Sequence, residues 1–160
     1  MASRAEAALA IFQKRVGLED GVGNWHKLEQ SQINLFADAT GDHQFIHVDP
    51  EKAAQLSPFK VTIAHGFLTL SLVPFLTGSI SAPDPQAYEG LSMGINYGLD
   101  KVRFPAPVKV DSRVRARREL VAVDLKAENA VQLKQKVTVE IEGEAKPACV
   151  AEFLTRLVYG

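Results

Sequence analysis

The chain has 160 residues, 46% hydrophobic and 23% charged, with a formal net charge of -1. This is the make-up of one globular domain long enough to bury a core, and it excludes a nucleic-acid binder recruited by a basic field. A single cysteine, Cys149, excludes an internal disulfide or a cysteine-rich metal cluster, and its alternating apolar surroundings suit a buried structural thiol.

Residues 3–16 place Ala7, Ala8, Ile11, Phe12 and Val16 on one helical face. Their charges leave no apolar core of a signal peptide. Gly17, Gly21 and Gly23 end this helix. Residues 24–29, with Trp25 and Leu28, suit a short strand. Ser31 is the expected cap of a second helix whose apolar face is Ile33, Phe36 and Ala37. Gly41 closes it, where a positive φ is needed. Asp49-Pro50 starts a short helix with Glu51 in its first turn, stopping near Ser57-Pro58.

Residues 66–79, GFLTLSLVPFLTGS, are apolar nearly all round, so the helix they form belongs inside something. Pro74 should bend or end it. The longest apolar run, residues 66–76, is too short to cross a bilayer, so a soluble cytoplasmic protein with no membrane contact is expected. Residues 91–99, 113–123, 131–141 and 147–159 then read as strands. Asn129 and Glu142-Gly143-Glu144 mark turns between consecutive hairpins. One buried helix and several long antiparallel strands make an α+β fold, a sheet curled around the helix. Its open edges favour pairing of two copies in a homodimer.

Chemistry concentrates in residues 36–47, FADATGDHQFIH. Asp42 and His47 stand five residues apart just past a helix end, an acid and a base at the edge of an apolar region. Asp42 as a turn residue and His47 as a satisfied core-edge histidine are the structural alternatives. His26 and His43 read as structural or surface groups, and His65 as a positioning residue for the helix start. The histidines show no HxxxH or HxH spacing, so no metal site is expected. Arg113, Arg115, Arg117 and Arg118 read as a solvated strand face, with a sharper alternative in phosphate contact helped by Lys101 and Arg103.

The run from Phe36 to His47, with Val48-Asp49-Pro50 and Ala53-Ala54, resembles the hydratase-2 motif of MaoC-like (R)-specific enoyl-CoA hydratases. Ile63-Ala64-His65-Gly66 matches the opening of their central helix, and residues 102–108, VRFPAPV, their strand region. Together with Trp25-His26 and Asn96-Tyr97-Gly98 the likeness is greatest to the nodulation-protein-N branch. It covers residues 24–158 and departs at Gln44-Phe45, where most members carry Asn-Pro.

The resemblance implies a hot dog fold: residues 1–23 as a helical extension and 24–160 as one domain. It implies hydration of a trans-2-enoyl thioester to the (3R)-3-hydroxyacyl product, or the reverse, with no cofactor. Asp42 and His47 would activate one water. The Gly66 N–H would hold the thioester oxygen, and Arg103 would bind the carrier, coenzyme A or acyl carrier protein. A hot dog thioesterase and a non-catalytic acyl-thioester binding module are the alternatives. The thioesterase wants a carboxylate on the central helix, and residues 66–79 contain none. A pure binder has no need of a desolvated acid–base pair.

Overall fold

A computed structural model describes residues 2–160. Helix α1 (Arg4–Gln13) opens on a capping box, in which Ser3 Oγ accepts from the Glu6 N–H and the Glu6 carboxylate accepts from the Ser3 N–H. Ser3→Ala should cost about 1 kcal/mol. Strand β1 (Glu19–Val22), in the glycine-rich stretch read only as a break, follows, and then β2 (His26–Lys27).

Helix α2 (Gln30–Thr40) begins one residue before the expected cap: Glu29 is the N-cap, without a side-chain cap bond, and Ser31 lies inside the helix. The chain turns earlier because the Leu28 N–H bonds the Ser112 carbonyl, tying the preceding residues to the sheet. Gly41 ends α2 in the left-handed region at φ 81°, as expected. Two short helices follow, α3 (Phe45–Val48) and α4 (Pro50–Leu56). Asp49 caps the second, and its carboxylate accepts from the Lys52 N–H.

The apolar run forms two helices, α5 (Gly66–Ser71) and α6 (Val73–Thr77), broken at Leu72. Pro74 explains the break: it has no N–H for the carbonyl one turn back. Leu68, Val73 and Leu76 are buried, but Phe67 is 68% and Phe75 63% exposed. The expectation of burial on every side therefore fails in the single chain.

A 3-10 turn (Pro85–Tyr88) leads into β3 (Leu91–Arg103), β4 (Arg113–Ala127), β5 (Ala130–Ile141) and β6 (Cys149–Tyr159). The sheet is antiparallel with order β1-β4-β5-β6-β3, and β2 also pairs with β4. The chain is thus α+β, with consecutive hairpins β4-β5-β6. Alternating residues of these strands point to one face and form two apolar clusters. Val114, Ala116, Val137, Val139 and Cys149 gather under α5 and α6. Leu120, Val131, Leu133, Leu157 and Tyr159 gather under Ala5, Ala8 and Phe12 of α1. Deleting a side chain such as Leu76, 2% exposed, should cost about 2–5 kcal/mol.

Candidate active site

Three backbone segments meet at the N-terminus of α5. Asp42 sits in the turn after α2, His47 in α3, and His65 immediately before α5. The turn is pinned from both sides. The Ile63 N–H bonds the Ile46 carbonyl at 2.9 Å, and the His47 N–H bonds the Gln44 carbonyl at 2.9 Å. The Gln30 amide donates to the His47 carbonyl at 2.7 Å, and Thr62 donates in turn to Gln30.

The Gln44-Phe45 replacement fits this geometry. Gln44 is the N-cap of α3 and Phe45 its first residue, where a proline is favoured but not required. The helix start survives the change.

Burial and hydrogen bonding fix the state of His47. Its ring is 7% exposed, and Nδ1 lies 2.7 Å from the Ile63 carbonyl. A carbonyl only accepts, so Nδ1 carries the proton and Nε2 presents a lone pair. Burial pushes the His47 pKa below its ordinary 6.5; the Ile63 carbonyl and Asp42 oppose this, and His65 adds to it.

His65 stacks on His47, with ring centroids 3.9 Å apart and planes at 24°. Its Nε2 donates to the backbone carbonyl of Asp42 at 2.9 Å, leaving Nδ1 buried and without a partner among the described residues. Its own carbonyl accepts the first bond of α5, from the Thr69 N–H at 3.2 Å. The His65 side chain makes no cap bond to α5 and instead ties the helix start to the Asp42 turn, a link that residue spacing did not show.

Single ligand atoms of Asp42, His47 and His65 lie within 4.8 Å of one another. The set was hidden from spacing rules because its members come from three segments. Such a cluster has donors for a cation, and each imidazole bonds a backbone carbonyl through one nitrogen and keeps the other for a ligand. The separation also matches two hydrogen bonds through one shared water. The Asp42 carboxylate is exposed and receives only a long 3.4 Å contact from the Gln44 N–H, so it is open to such a water.

Gly66 is the first residue of α5, and its N–H has no partner among the described residues. Its φ lies outside the left-handed region, so the backbone shape does not demand glycine. Space is tight: a Cβ would stand 3.1 Å from the Phe104 ring, which would have to give by a few tenths of an ångström. Phe104 in turn meets Phe67 edge-on at 6.1 Å. Arg103, beside Phe104, is exposed and donates to the Val102 carbonyl.

Residues 5–141 match the model of the MaoC like domain. The chain belongs to the MaoC-like dehydratase family. It is 50% identical to 3-hydroxyacyl-thioester dehydratase Z of Mycobacterium tuberculosis, over 97% of this chain and 99% of that protein. It is 49% identical to nodulation protein N of Rhizobium leguminosarum, over 94% and 91% of the two chains. Among solved structures, the unliganded R-hydratase of Pseudomonas aeruginosa superposes with a TM-score of 0.67 at 24% identity, covering 91% of this chain and 83% of that one. A MaoC-like dehydratase from Rhodospirillum rubrum gives 0.70 at 19% identity, covering 91% and 93%. These structures establish the hot dog fold for this MaoC-like chain.

The remaining sequence-singled residues lie elsewhere in this MaoC-like dehydratase. His43 bonds the Asp38 carboxylate at 2.9 Å on the surface, and His26 bonds Gln32 at 2.8 Å. Arg113, Arg115 and Arg117 pair with Glu142, Glu140 and Glu19, and Lys101 with Glu152. Burial pushes the Cys149 thiol up to about 11, as befits an inert structural cysteine.

Proposed function

We propose that this protein interconverts trans-2-enoyl and (3R)-3-hydroxyacyl thioesters by reversible addition of water at Asp42 and His47. The observation that carries this reading is the neutral His47, with Nδ1–H fixed on a carbonyl and Nε2 free beside a carboxylate. Membership of a dehydratase family and the thioester dehydratase relatives support it.

In the hydration direction Asp42 accepts a hydrogen bond from the water and orients it. His47 Nε2 takes a proton as the water oxygen bonds C3. Electron density moves to the thioester oxygen, where the Gly66 N–H, at the positive end of α5, meets the developing charge. His47 Nε2–H then gives its proton to C2, and the imidazole returns to neutral. Each acid–base contribution is typically worth about a hundred- to ten-thousand-fold.

The thioester is carried by coenzyme A or acyl carrier protein, and Arg103 contacts the carrier. It pairs with no carboxylate among the described residues, unlike the arginines of β4. Residues 24–160 carry the site, while α1 covers the second apolar cluster and β1 adds a strand to the sheet beside β4.

Two copies associate through the β3 edge. Met93, Ile95, Tyr97 and Leu99 of that 13-residue edge strand are 41–54% exposed, beside exposed Phe67 and Phe104. An apolar open edge of this length invites strand pairing.

The test is the conjugated enoyl absorbance of crotonyl-CoA after adding purified protein, with chiral analysis of the product. Loss of absorbance with (3R)-3-hydroxybutyryl-CoA formed is the expected result. An unchanged spectrum leaves the binding-module alternative, free coenzyme A the thioesterase, and a (3S) product overturns the stereochemistry.

A further inference from the structure

Beyond the acid–base corner, the concave face of the sheet contains an anomaly. Its inward positions are apolar strand after strand: Val114, Ala116 and Leu120 on β4, Leu133, Val137 and Val139 on β5, Ala151 and Leu157 on β6. The pattern breaks once on each strand, along a diagonal of the sheet on which Arg118 faces Val137, Gln135 faces Leu120 and Phe153, and Thr155 faces Leu133. Arg118 fills the inward position on β4, Gln135 on β5 and Thr155 on β6. On β3, Asn96 stands directly opposite Thr155. The break falls between the two apolar clusters, and these residues line a cavity of about 400 Å³.

The side chains of Asn96, Gln135 and Thr155 make no hydrogen bond among the described residues, nor does the Tyr88 hydroxyl that also faces the cavity. Asn96 is exposed and Gln135, Thr155 and Tyr88 are half-buried, so these groups are open to water in the free protein, and a ligand that displaces the water must offer hydrogen bonds in its place. Arg118 is different: its Nε donates to Asp20 at 3.0 Å. Asp20 also faces Arg15, which faces Asp84, so two cations and two anions balance. The cavity therefore offers hydrogen bonds without a net charge.

The cavity continues toward α5. A second cavity of about 390 Å³ shares Pro74, Asn96 and Phe153 with it and reaches back to Leu70 and Ser71 on α5. From Gly66 to Pro74 the helices advance about 12 Å at 1.5 Å per residue.

We propose that this cavity receives the far end of the acyl chain and selects chains bearing a neutral hydrogen-bonding oxygen there, a hydroxyl or keto group, over plain alkyl chains. The proposal rests on the dehydratase reading only in placing the thioester at Gly66. Gln135 donates or accepts through its amide, and Thr155 and Asn96 supply a second partner from the neighbouring strands. A saturated chain leaves them all unpaired, and sites built to hydrogen-bond a substrate discriminate most strongly against analogues that lack the group.

The test is calorimetric binding of saturated acyl-CoAs of increasing length, each compared with its counterpart carrying a terminal hydroxyl, to the full-length protein. At the length that reaches the cavity the hydroxylated ligand should bind about tenfold tighter, as two modest hydrogen bonds allow. Gln135→Leu with Thr155→Val should remove or invert that preference. Both substitutions restore the apolar pattern, so the melting temperature should hold or rise. Should the double variant not fold, the near-isosteric Thr155→Val alone should cut the preference several-fold. Equal or weaker binding of the hydroxylated ligand at every length, or a preference that these variants leave intact, overturns the proposal. Binding is read without turnover, so the two readings fail separately. A hydroxyl preference without crotonyl-CoA hydration sinks the dehydratase reading alone, and hydration without the preference sinks this one alone.

Discussion

Two charge-bearing regions of this molecule behave in opposite ways. On the outer face of β4, Arg113, Arg115 and Arg117 alternate and each finds a carboxylate, at 3.0, 2.8 and 2.8 Å. Trp25 lies under the guanidinium of Arg115 at 4.3 Å. Hydrogen bonds that its guanidinium donates to Glu19 and Glu140 raise the Arg117 pKa still further, so its charge never changes in the working range. At the mouth of α5 the polar groups bond backbone instead of one another, and His47 Nε2, the Asp42 carboxylate and the Gly66 N–H are left over. Charge density alone therefore does not mark a site. Hydrogen-bonding capacity that the fold holds in place but does not consume is the better sign.

Breaking the contrast at the active corner should have the largest effect. Asp42→Asn or His47→Gln, each keeping the shape, should lower kcat at least a hundredfold with the melting temperature little changed. Steady-state rates on crotonyl-CoA check this, and near-normal turnover in either folded variant removes that residue from the mechanism.

Gly66→Val comes next. The added side chain must displace the Phe104 ring, since a Cβ alone already stands 3.1 Å from it. A shift of about 1 Å near the thioester is worth roughly a hundredfold, and the loss should appear in kcat as well as KM because the donor matters most as charge develops. A fully active folded variant places the oxyanion donor elsewhere.

The pH dependence is a finer probe. His47 must be neutral to accept a proton, and burial holds its pKa below 6.5. The acid limb of kcat/KM should therefore fall below pH 6.5, and His47→Gln should abolish it. For stability the sign is the usual one for a depressed pKa. The contribution of His47 is complete above 6.5 and is lost as pH falls through the folded value. An acid limb at or above 6.5 contradicts this.

The smallest effect belongs to the arginine ladder. Glu140→Gln removes a carboxylate that bonds Arg115 and Arg117, but the groups are partly solvated. Thermal denaturation should show a loss of about 1 kcal/mol or less, with kcat unchanged. A tenfold fall in activity on this substitution joins the two regions that the comparison separates.

The sequence carried the periodic parts of the fold well. Val137, Val139 and Ile141 alternate with polar residues because one face of β5 is buried, and Gly41 and Asp49-Pro50 mark helix ends through backbone geometry. What escaped depended on contacts between distant segments. β1 holds only Glu-Asp-Gly-Val and owes its pairing to β4. Glu29 replaced Ser31 as the cap because Ser112 fixes Leu28. At the site, Asp42 and His47 were legible as a short motif. The link from His65 to the Asp42 carbonyl spans 23 residues, and no local pattern encodes it. The exposed Phe67 and Phe75 show the same limit: an apolar segment announces that it will be covered, but not by which chain.

The central claim is that Asp42 and His47 act as a unit on one water. The most direct test is the double variant Asp42→Asn/His47→Gln beside the two single ones, assayed on crotonyl-CoA at saturating substrate. Groups that serve one event are strongly non-additive, so the double variant should be no more than a few-fold slower than the worse single variant. Losses that multiply, each residue costing its full factor in the absence of the other, would show two independent roles and contradict the shared water.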